Sequence, residues 1–268
     1  APRDALIADV TPETIRGRAY GVRQALDTAG AFIGPLLAIL LMALFADNMR
    51  TVFWFAVIPA AFAVVCVVVG VEDRAAPEGD AKARSPIRLA DIRRLSGAFW
   101  SVAALGVVFT LARFSEAFLV LKASDEPLAL SPLVLVAMNL VYSLGAYPAG
   151  AWSDQTRPKT VLLWGLAALA AADLILAFAS DAVSVFGGIT LWGVHLALTQ
   201  GLMAKLVAQR APEGLRGSAF GLFNLVTGAA MLAASVIAGL LWNHAGAAAT
   251  FLGGAGFAAL AAALTMIV

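Results

Sequence analysis

Residues 6–21 read LIADVTPETIRGRAYG, and residues 206–221 read LVAQRAPEGLRGSAFG. The two stretches agree at eight of sixteen positions and lie 200 positions apart in the chain. Each joins the polar end of one apolar segment to the start of another. A long internal repeat between apolar segments is typical of membrane transporters that are built from two similar halves. We therefore expect the chain to contain parts of two related helical bundles.

The composition places the chain among integral membrane proteins. It is 61% hydrophobic and only 13% charged, and its mean hydropathy is +0.88, whereas soluble domains carry about 25% charged residues. The formal net charge of +1 gives no reason to expect a nucleic-acid partner. The single cysteine, Cys66, excludes an intrachain disulfide.

A bilayer-spanning helix needs about 20 mostly apolar residues, and the sequence predicts eight such spans. The charged stretch 72–96 contains two prolines and a glycine and is predicted to be a cytoplasmic linker. Residues 1–71 would then end an N-terminal half-bundle, and 97–268 would form a C-terminal half-bundle of six helices. The predicted spans are 19–45, 51–71, 97–121, 132–152, 160–180, 182–204, 218–242 and 245–268.

The basic residues predict the orientation. With residues 1–18 in the cytoplasm, 14 lysines and arginines fall in cytoplasmic loops and 2, Arg50 and Lys122, in outer loops. This bias follows the positive-inside rule. It predicts a multi-pass protein of the plasma (bacterial inner) membrane with both ends of this chain in the cytoplasm.

The repeat also predicts helices that precede this sequence. The second half starts near Gly97, so the first half is expected to start about 100 residues before Ala1, which leaves room for four helices of 20–25 residues. The intact protein would then have six plus six spans.

Two short motifs stand next to these spans. Residues 150–159, GAWSDQTRPK, form a loop between two spans, and residues 30–38, GAFIGPLLA, lie within the first span. The carboxylate of Asp154 could cap a helix N-terminus and pair with Arg157 or Lys159, or the loop could be a solvated turn. Pro35 favours a kink and Gly30 and Gly34 allow close packing; packing alone is an equally good reading.

On these motifs, the repeat and the topology, the chain resembles the major facilitator superfamily, from its fifth to its twelfth helix. The 150–159 loop resembles the family's G-x-x-x-D-x-x-G-R-R/K loop, with Arg157 in place of the usual glycine. The resemblance implies an all-α membrane fold in which Asp154, Arg157 and Lys159 belong to a gating loop. Gly30, Gly34 and Pro35 resemble the family's antiporter motif, although Ala38 replaces its last glycine.

Polar residues recur at helical spacing in several predicted spans, so they are expected to share a helix face within each. We consider them candidates for lining a cavity or binding substrate. They are Gln24, Asp27, Arg113, Glu116, Asn139, Tyr142, His195, Thr199, Gln200 and Asn224.

Three of these residues are candidates for carrying a coupling proton. Charges inside a bilayer cost about 2.5–3.5 kcal/mol each, so they usually face a cavity or each other. Glu116 is preferred, and a structural ion pair with Arg113 on one helix is its alternative. Asp27 could be a buried acid, or it could pair with Arg23. His195 could titrate or be a hydrogen-bonded core histidine, and Asp173 is expected to be structural, near the outer face.

These features predict a secondary transporter of a small organic molecule that works by alternating access, with proton-coupled efflux favoured. An uptake permease for a sugar or organic acid is the alternative within transport, and a non-transporting receptor or scaffold is the alternative outside it. The sequence contains no hydrolase, zinc-protease or Walker motif. We therefore expect no enzymatic activity, no cofactor and no metal. The expected partners are the substrate, protons and the lipid bilayer, and the expected oligomeric state is a monomer.

Overall fold

The computed structural model describes residues 2–45, 48–70, 92, 94–123, 131–212 and 214–267. Throughout these ranges the regular structure is helical and no strand occurs, which confirms the all-α membrane fold. Most of the predicted linker 72–96 lies outside the described residues. The helices are α1 (Pro2–Val10), α2 (Arg16–Leu44), α3 (Met49–Gly70), α4 (Gly97–Ala112), α5 (Ala117–Ala123), α6 (Ser131–Gln155), α7 (Pro158–Phe178), α8 (Ala182–Arg210) and α9 (Arg216–Ile267).

Seven helical stretches in the described residues are long and apolar enough to cross a membrane. The last of them, α9, has 52 residues and would measure about 78 Å if it were straight, far more than the roughly 30 Å of a bilayer core. It turns back at Gly246, whose φ of 85° is in the left-handed region that favours glycine. The hydroxyl of Thr250 then donates to the carbonyl of Ala238 across the hairpin (3.2 Å). Two spans thus lie within α9, as the sequence predicted.

By their internal contacts the residues form two units, Ala1–Ala29 with Leu89–Val268, and Gly30–Arg88. The first unit contains two buried clusters. The larger one lies among α4 to α9 and includes the fully buried Trp192. The smaller one unites the two copies of the repeat, and Tyr20 packs against its counterpart Phe220 with ring centroids 6.4 Å apart. In the second unit, no residue of α3 is buried, and a helix that is apolar on all sides suits contact with lipid.

The predicted span 97–121 is present as the stretch Gly97–Ala123, but its helix is broken. Ser96 caps the start of α4 by accepting a hydrogen bond from the amide of Phe99 (3.2 Å). The helix then ends at Ala112, Arg113 has φ −113° and ψ 86°, and helical structure resumes only at Ala117. Arg113 and Glu116 therefore do not share a helix face, and the prediction that they pair within one helix fails.

Candidate functional site

The first site joins the last turn of α6, which contains Asp154 although the sequence predicted a loop there, to the start of α2, and we call it the Asp154 cap. The carboxylate of Asp154 accepts hydrogen bonds from the backbone N–H groups of Gly17 (2.8 Å) and Arg18 (2.9 Å). These amides belong to the first turn of α2, where helical N–H groups have no partner in their own helix. A negative charge there is also favoured by the helix dipole. The end of α6 therefore holds a helix that is more than 130 positions away in the chain.

A lysine completes the Asp154 cap. The ammonium group of Lys205 in α8 donates to the Asp154 carboxylate (2.8 Å) and to the carbonyl of Ser153 (2.7 Å). The side chains of Asp154 and Lys205 are only 2% and 5% exposed. Removing one partner of such a buried pair costs about 3–5 kcal/mol, since the other charge is left uncompensated. The cap thus ties α2, α6 and α8 together.

Close packing surrounds the Asp154 cap. A side chain at Gly17 would overlap the backbone of Gly150 and the side chains of Ser153 and Asp154. A side chain at Gly21 would come within 2.5 Å of the carbonyl of Ala146. Helices α2 and α6 therefore approach each other closely only because glycine occupies these positions.

The prediction that Asp154 pairs with Arg157 or Lys159 is wrong. Both cations are exposed, and Arg157 precedes α7 without a side-chain capping hydrogen bond. Asp154 pairs instead with Lys205, which the sequence analysis assigned to a loop. An apolar neighbourhood, GLMAKLVA, was the available signal that this lysine lies in a helix and needs a buried partner.

The second site is a central polar cluster, formed by Thr28, Arg113, Glu116, Tyr142 and Gln200. With its amide oriented to suit the hydrogen bond, Gln200 accepts from the guanidinium of Arg113. Arg113 also interacts electrostatically with Glu116 and Tyr142. The side chain of Tyr142 hydrogen-bonds with Thr28 of α2. The break after α4 thus faces α2, α6 and α8, and the structure brings together four of the predicted candidates.

His195 lies beside this cluster but turns toward the core. Its Nδ1 lies 2.8 Å from the carbonyl oxygen of Gly165, which can only accept, so Nδ1 carries a proton. The ring stacks on Phe109 with centroids 5.2 Å apart. The backbone carbonyl of His195 accepts from the hydroxyl of Thr199 (2.7 Å). Fully buried, His195 corresponds to the hydrogen-bonded core histidine of the sequence analysis, and its role in proton transfer stays a prediction.

Asp27 belongs to an ion-pair network rather than to an isolated buried site. It accepts two hydrogen bonds from Arg3 (3.0 and 2.8 Å) and pairs with Arg23 (3.1 Å), which also pairs with Asp4 (3.1 Å). Its side chain is 41% exposed. This arrangement agrees with the alternative in which Asp27 pairs with Arg23. Arg3, which was not among the predicted partners, also binds Asp27.

The remaining candidates are distributed along the helices. Gln24 and Asn139 are half-buried, and Asn224 is exposed. Gly30, Gly34 and Pro35 lie within α2, and their proposed part in gating stays a prediction. In the parts of the chain that the structure describes, no three histidine, cysteine, aspartate or glutamate side chains could hold a metal ion together.

Two arginines that were not among the predicted candidates bind the end of α1, and one of them, Arg216, links the two copies of the repeat. The guanidinium of Arg16 donates to the carbonyl of Ala8 (2.9 Å), and that of Arg216 donates to the carboxylate of Asp9. Both arginines occupy the same position of the repeat, and that identity was the signal available in the sequence. They fasten the end of α1 to the starts of α2 and α9.

Two uncharacterised proteins are similar in sequence to most of this chain. An uncharacterised MFS-type transporter of Methanocaldococcus jannaschii is 30% identical over 251 residues, which cover 91% of this chain and 62% of that protein. An uncharacterised protein of Mycobacterium tuberculosis is 25% identical over 250 residues, covering 90% of this chain and 60% of that protein. The chain therefore spans less than two thirds of the length of either relative.

The same fold occurs in the crystal structure of the human organic anion transporter MFSD10 (TETRAN). The TM-score is 0.70 at 17% identity, and the match covers 98% of this chain and 66% of the human one. The sequence profile of the Major Facilitator Superfamily matches residues 1–130 and 128–268. With matches along its whole length, the chain belongs to the Major Facilitator Superfamily, whose members are membrane transporters and not enzymes.

Proposed function

We propose that the protein is a secondary active transporter that moves a small organic molecule by alternating access, in exchange for protons and in the direction of efflux. The central polar cluster is the observation that carries this proposal. Charged groups at membrane depth are costly and usually face a cavity or one another. Irregular backbone at that depth is tolerated where it lines a cavity, and transporters bind substrates at such broken helices. The break at residues 113–116 combines both features.

A second observation supports the proposal: the Asp154 cap and the two copies of the repeat close one end of the bundle. We use "repeat end" for the end of the first unit that carries residues 6–21 and 206–221. There the two copies pack through Tyr20 and Phe220, and Arg216 reaches Asp9. Alternating access requires this end to open, which would break discrete contacts rather than stretch them. The Asp154 cap would then be made in one state and lost in the other.

Glu116 is the preferred carrier of the coupling proton, followed by Asp27 and His195. Glu116 lies in the helix break and interacts with Arg113, so a change of its charge acts directly on the central polar cluster. Asp27 already has two arginine partners, which ranks it lower, and His195 faces the core.

An uptake permease for an organic acid is the second candidate. Arg113 favours it, because its guanidinium lies at the helix break and guanidinium groups bind carboxylates well. The name of the human structural neighbour, an organic anion transporter, agrees with a substrate of that charge. The resemblance of Gly30, Gly34 and Pro35 to an antiporter motif supports the efflux direction instead.

The repeat end is proposed to face the cytoplasm of a plasma membrane, with the protein acting as a monomer. The basic bias of the loops supports this orientation. A Lys159→Cys variant in a Cys66→Ala background tests it, since Lys159 is exposed. Impermeant thiol reagents should label it only from inside, and labelling of sealed right-side-out cells would reverse the topology.

The transport proposal is tested on the full-length protein in liposomes with an imposed pH gradient. Organic acids, organic cations and neutral solutes are offered as radiolabelled tracers, and accumulation is compared with and without the gradient. Glu116→Gln should abolish gradient-driven accumulation but keep exchange of substrate for substrate. Full proton-driven transport in both Glu116→Gln and Asp27→Asn would exclude both acids, leaving His195 as the next candidate. A receptor or scaffold would show no flux with any tracer.

A further inference from the structure

Asp173 is a buried acid that lies apart from both sites described above. It is located in α7, and its exposed fraction is zero. Neither carboxylate oxygen has a hydrogen-bond partner among the described residues. The residues that bury Asp173 belong to this chain, so no lipid molecule is needed to shield its carboxylate from water. A carboxylate in such surroundings would lose its hydration without compensation, which is strongly unfavourable.

The surroundings of Asp173 are apolar. A Cβ atom built on Gly254, in the second segment of α9, would lie 2.5 Å from Oδ2 of Asp173 and 2.9 Å from the ring of Phe114. Phe114 in turn packs on Trp192 and Phe251, with ring centroids 5.3 and 5.6 Å away. The carboxyl group is therefore closed in by a glycine backbone and an aromatic ring.

None of the described cations forms an ion pair with Asp173, whose two carboxylate oxygens are buried without a hydrogen-bond partner among the described residues. Arg113 and Glu116 flank Phe114 in the chain, but Arg113 interacts with Glu116 and Tyr142. His195 of α8 interacts with Gly165 and Arg113. An ion pair that would keep Asp173 ionised is thus missing from the part of the chain that the structure describes.

We propose that Asp173 is a proton-binding site separate from the central polar cluster, a neutral carboxylic acid that is enclosed by Phe114 and Gly254. Losing the proton would require the second segment of α9 or Phe114 to move away, so that water reaches the carboxylate. Because Phe114 follows Arg113 directly, such a movement would also displace the helix break. This site is independent of whether Glu116 carries the coupling proton.

A proton fits this site better than a metal cation does. A cation such as Ca²⁺ needs about six to eight oxygen ligands, whereas the described neighbours of the Asp173 carboxylate are Gly254 and the ring of Phe114. The cavity that Phe114 and Gly254 also line measures about 10 Å³, close to the smallest volume that holds a single water molecule. Asp173 lies five residues before the end of α7 at Phe178, or about 8 Å along the helix axis. The proton would therefore enter from the side of the bundle at which α7 ends, which is opposite the Asp154 cap.

Infrared spectroscopy of the full-length protein at neutral pH tests the proton. We expect a carbonyl band of a protonated carboxylic acid that shifts in heavy water, and Asp173→Asn should remove it. Asp181→Asn is the matched control, because Asp181 is an exposed cap of α8 that accepts from the amide of Ser184 (2.9 Å). Absence of the band, or its persistence in Asp173→Asn, would overturn the proposal.

Two further measurements test the proposal. The first uses the wild type, so it does not depend on whether Asp173→Asn folds, and the second tests whether proton binding at Asp173 is coupled to folding. In the wild type, dicyclohexylcarbodiimide should add to the protonated acid when Phe114 or the second segment of α9 moves away, and mass spectrometry should find the adduct on Asp173; no adduct would exclude that movement. Since the unfolded chain binds fewer protons at this position, the unfolding constant should rise about tenfold per pH unit relative to Asp173→Asn near neutral pH. An equal pH dependence of the two proteins would exclude the coupling.

Discussion

The two copies of the repeat begin their second helices with nearly the same residues but in different surroundings. In the first copy, Asp154 accepts from the amides of Gly17 and Arg18, and Gly17 packs against Gly150. In the second copy, no side chain of the described residues accepts from the corresponding amides, and a Cβ atom on Gly217 would meet no atom within 4 Å. The same glycine is thus sterically required in one copy, whereas no described contact requires it in the other.

The arginines of the repeat differ in a similar way. Arg16 bonds to the carbonyl of Ala8 within its own copy, whereas Arg216 crosses to Asp9 of the other copy. The position equivalent to Asp9 is Gln209, which cannot return an ion pair. A repeat in sequence therefore predicts where the helices start, but it does not predict which contacts cross between the halves.

The largest effect is expected from Lys205→Met in the full-length protein. The substitution leaves the Asp154 carboxylate buried without its cation, at a cost of about 3–5 kcal/mol. Chemical unfolding in detergent measures the loss, with Lys159→Met as the control at an exposed lysine. Adding Asp154→Asn should restore part of the stability, because the two losses are coupled. Additive losses in the double variant would mean that the pair contributes nothing to the Asp154 cap.

Asp154→Asn alone is expected to slow transport more than it lowers the amount of folded protein. An amide can still accept from one backbone N–H, but the charge-assisted bonds, about 1.5–3 kcal/mol each, are lost. The balance between states shifts as a result. Transport rates at matched expression test this, and an unchanged rate would reduce Asp154 to a turn residue.

Gly17→Ala should destabilise the protein by about 1–3 kcal/mol, because the added methyl group overlaps the backbone of Gly150. On the described contacts, Gly217→Ala should be neutral or gain up to about 1 kcal/mol from helix propensity. Thermal unfolding of the two variants compares the copies directly. An equal loss of stability in the two variants would show that Gly217 packs against residues outside those that the structure describes.

The smallest effect is expected at the contact between Arg216 and Asp9. The Asp9 side chain is 46% exposed, and partly exposed ion pairs contribute about 0.2–1 kcal/mol. A double-mutant cycle with Arg216→Gln and Asp9→Asn isolates this value. A coupling energy above about 2 kcal/mol would instead show that this ion pair contributes strongly to holding the two copies of the repeat together.

The sequence predicted the membrane class and the spans, including the two within α9, because these depend on composition and local signals. It did not predict the break at Arg113, since the apolar run continues through Phe114 and only tertiary contacts reveal the irregular backbone. Lys205 was missed because counting charges in loops assigns a buried lysine to a loop. The partners of Asp154 were missed because they lie on two helices far away in the chain.

The Asp154 cap has a consequence for how such a protein changes over generations. Its donors at positions 17 and 18 are main-chain amides, which every amino acid except proline provides. Substitutions at these two positions, other than to proline, therefore keep both hydrogen bonds, and close packing limits the size of the side chain at position 17. The charge interaction at this contact can be tuned through Asp154 in α6, through Lys205 in α8, and through the side chain of Arg18 in α2, whose Nε lies 3.9 Å from the Asp154 carboxylate. Mutation can therefore weaken the charge interaction from any of these three helices, whereas the two main-chain hydrogen bonds persist with nearly every residue at positions 17 and 18.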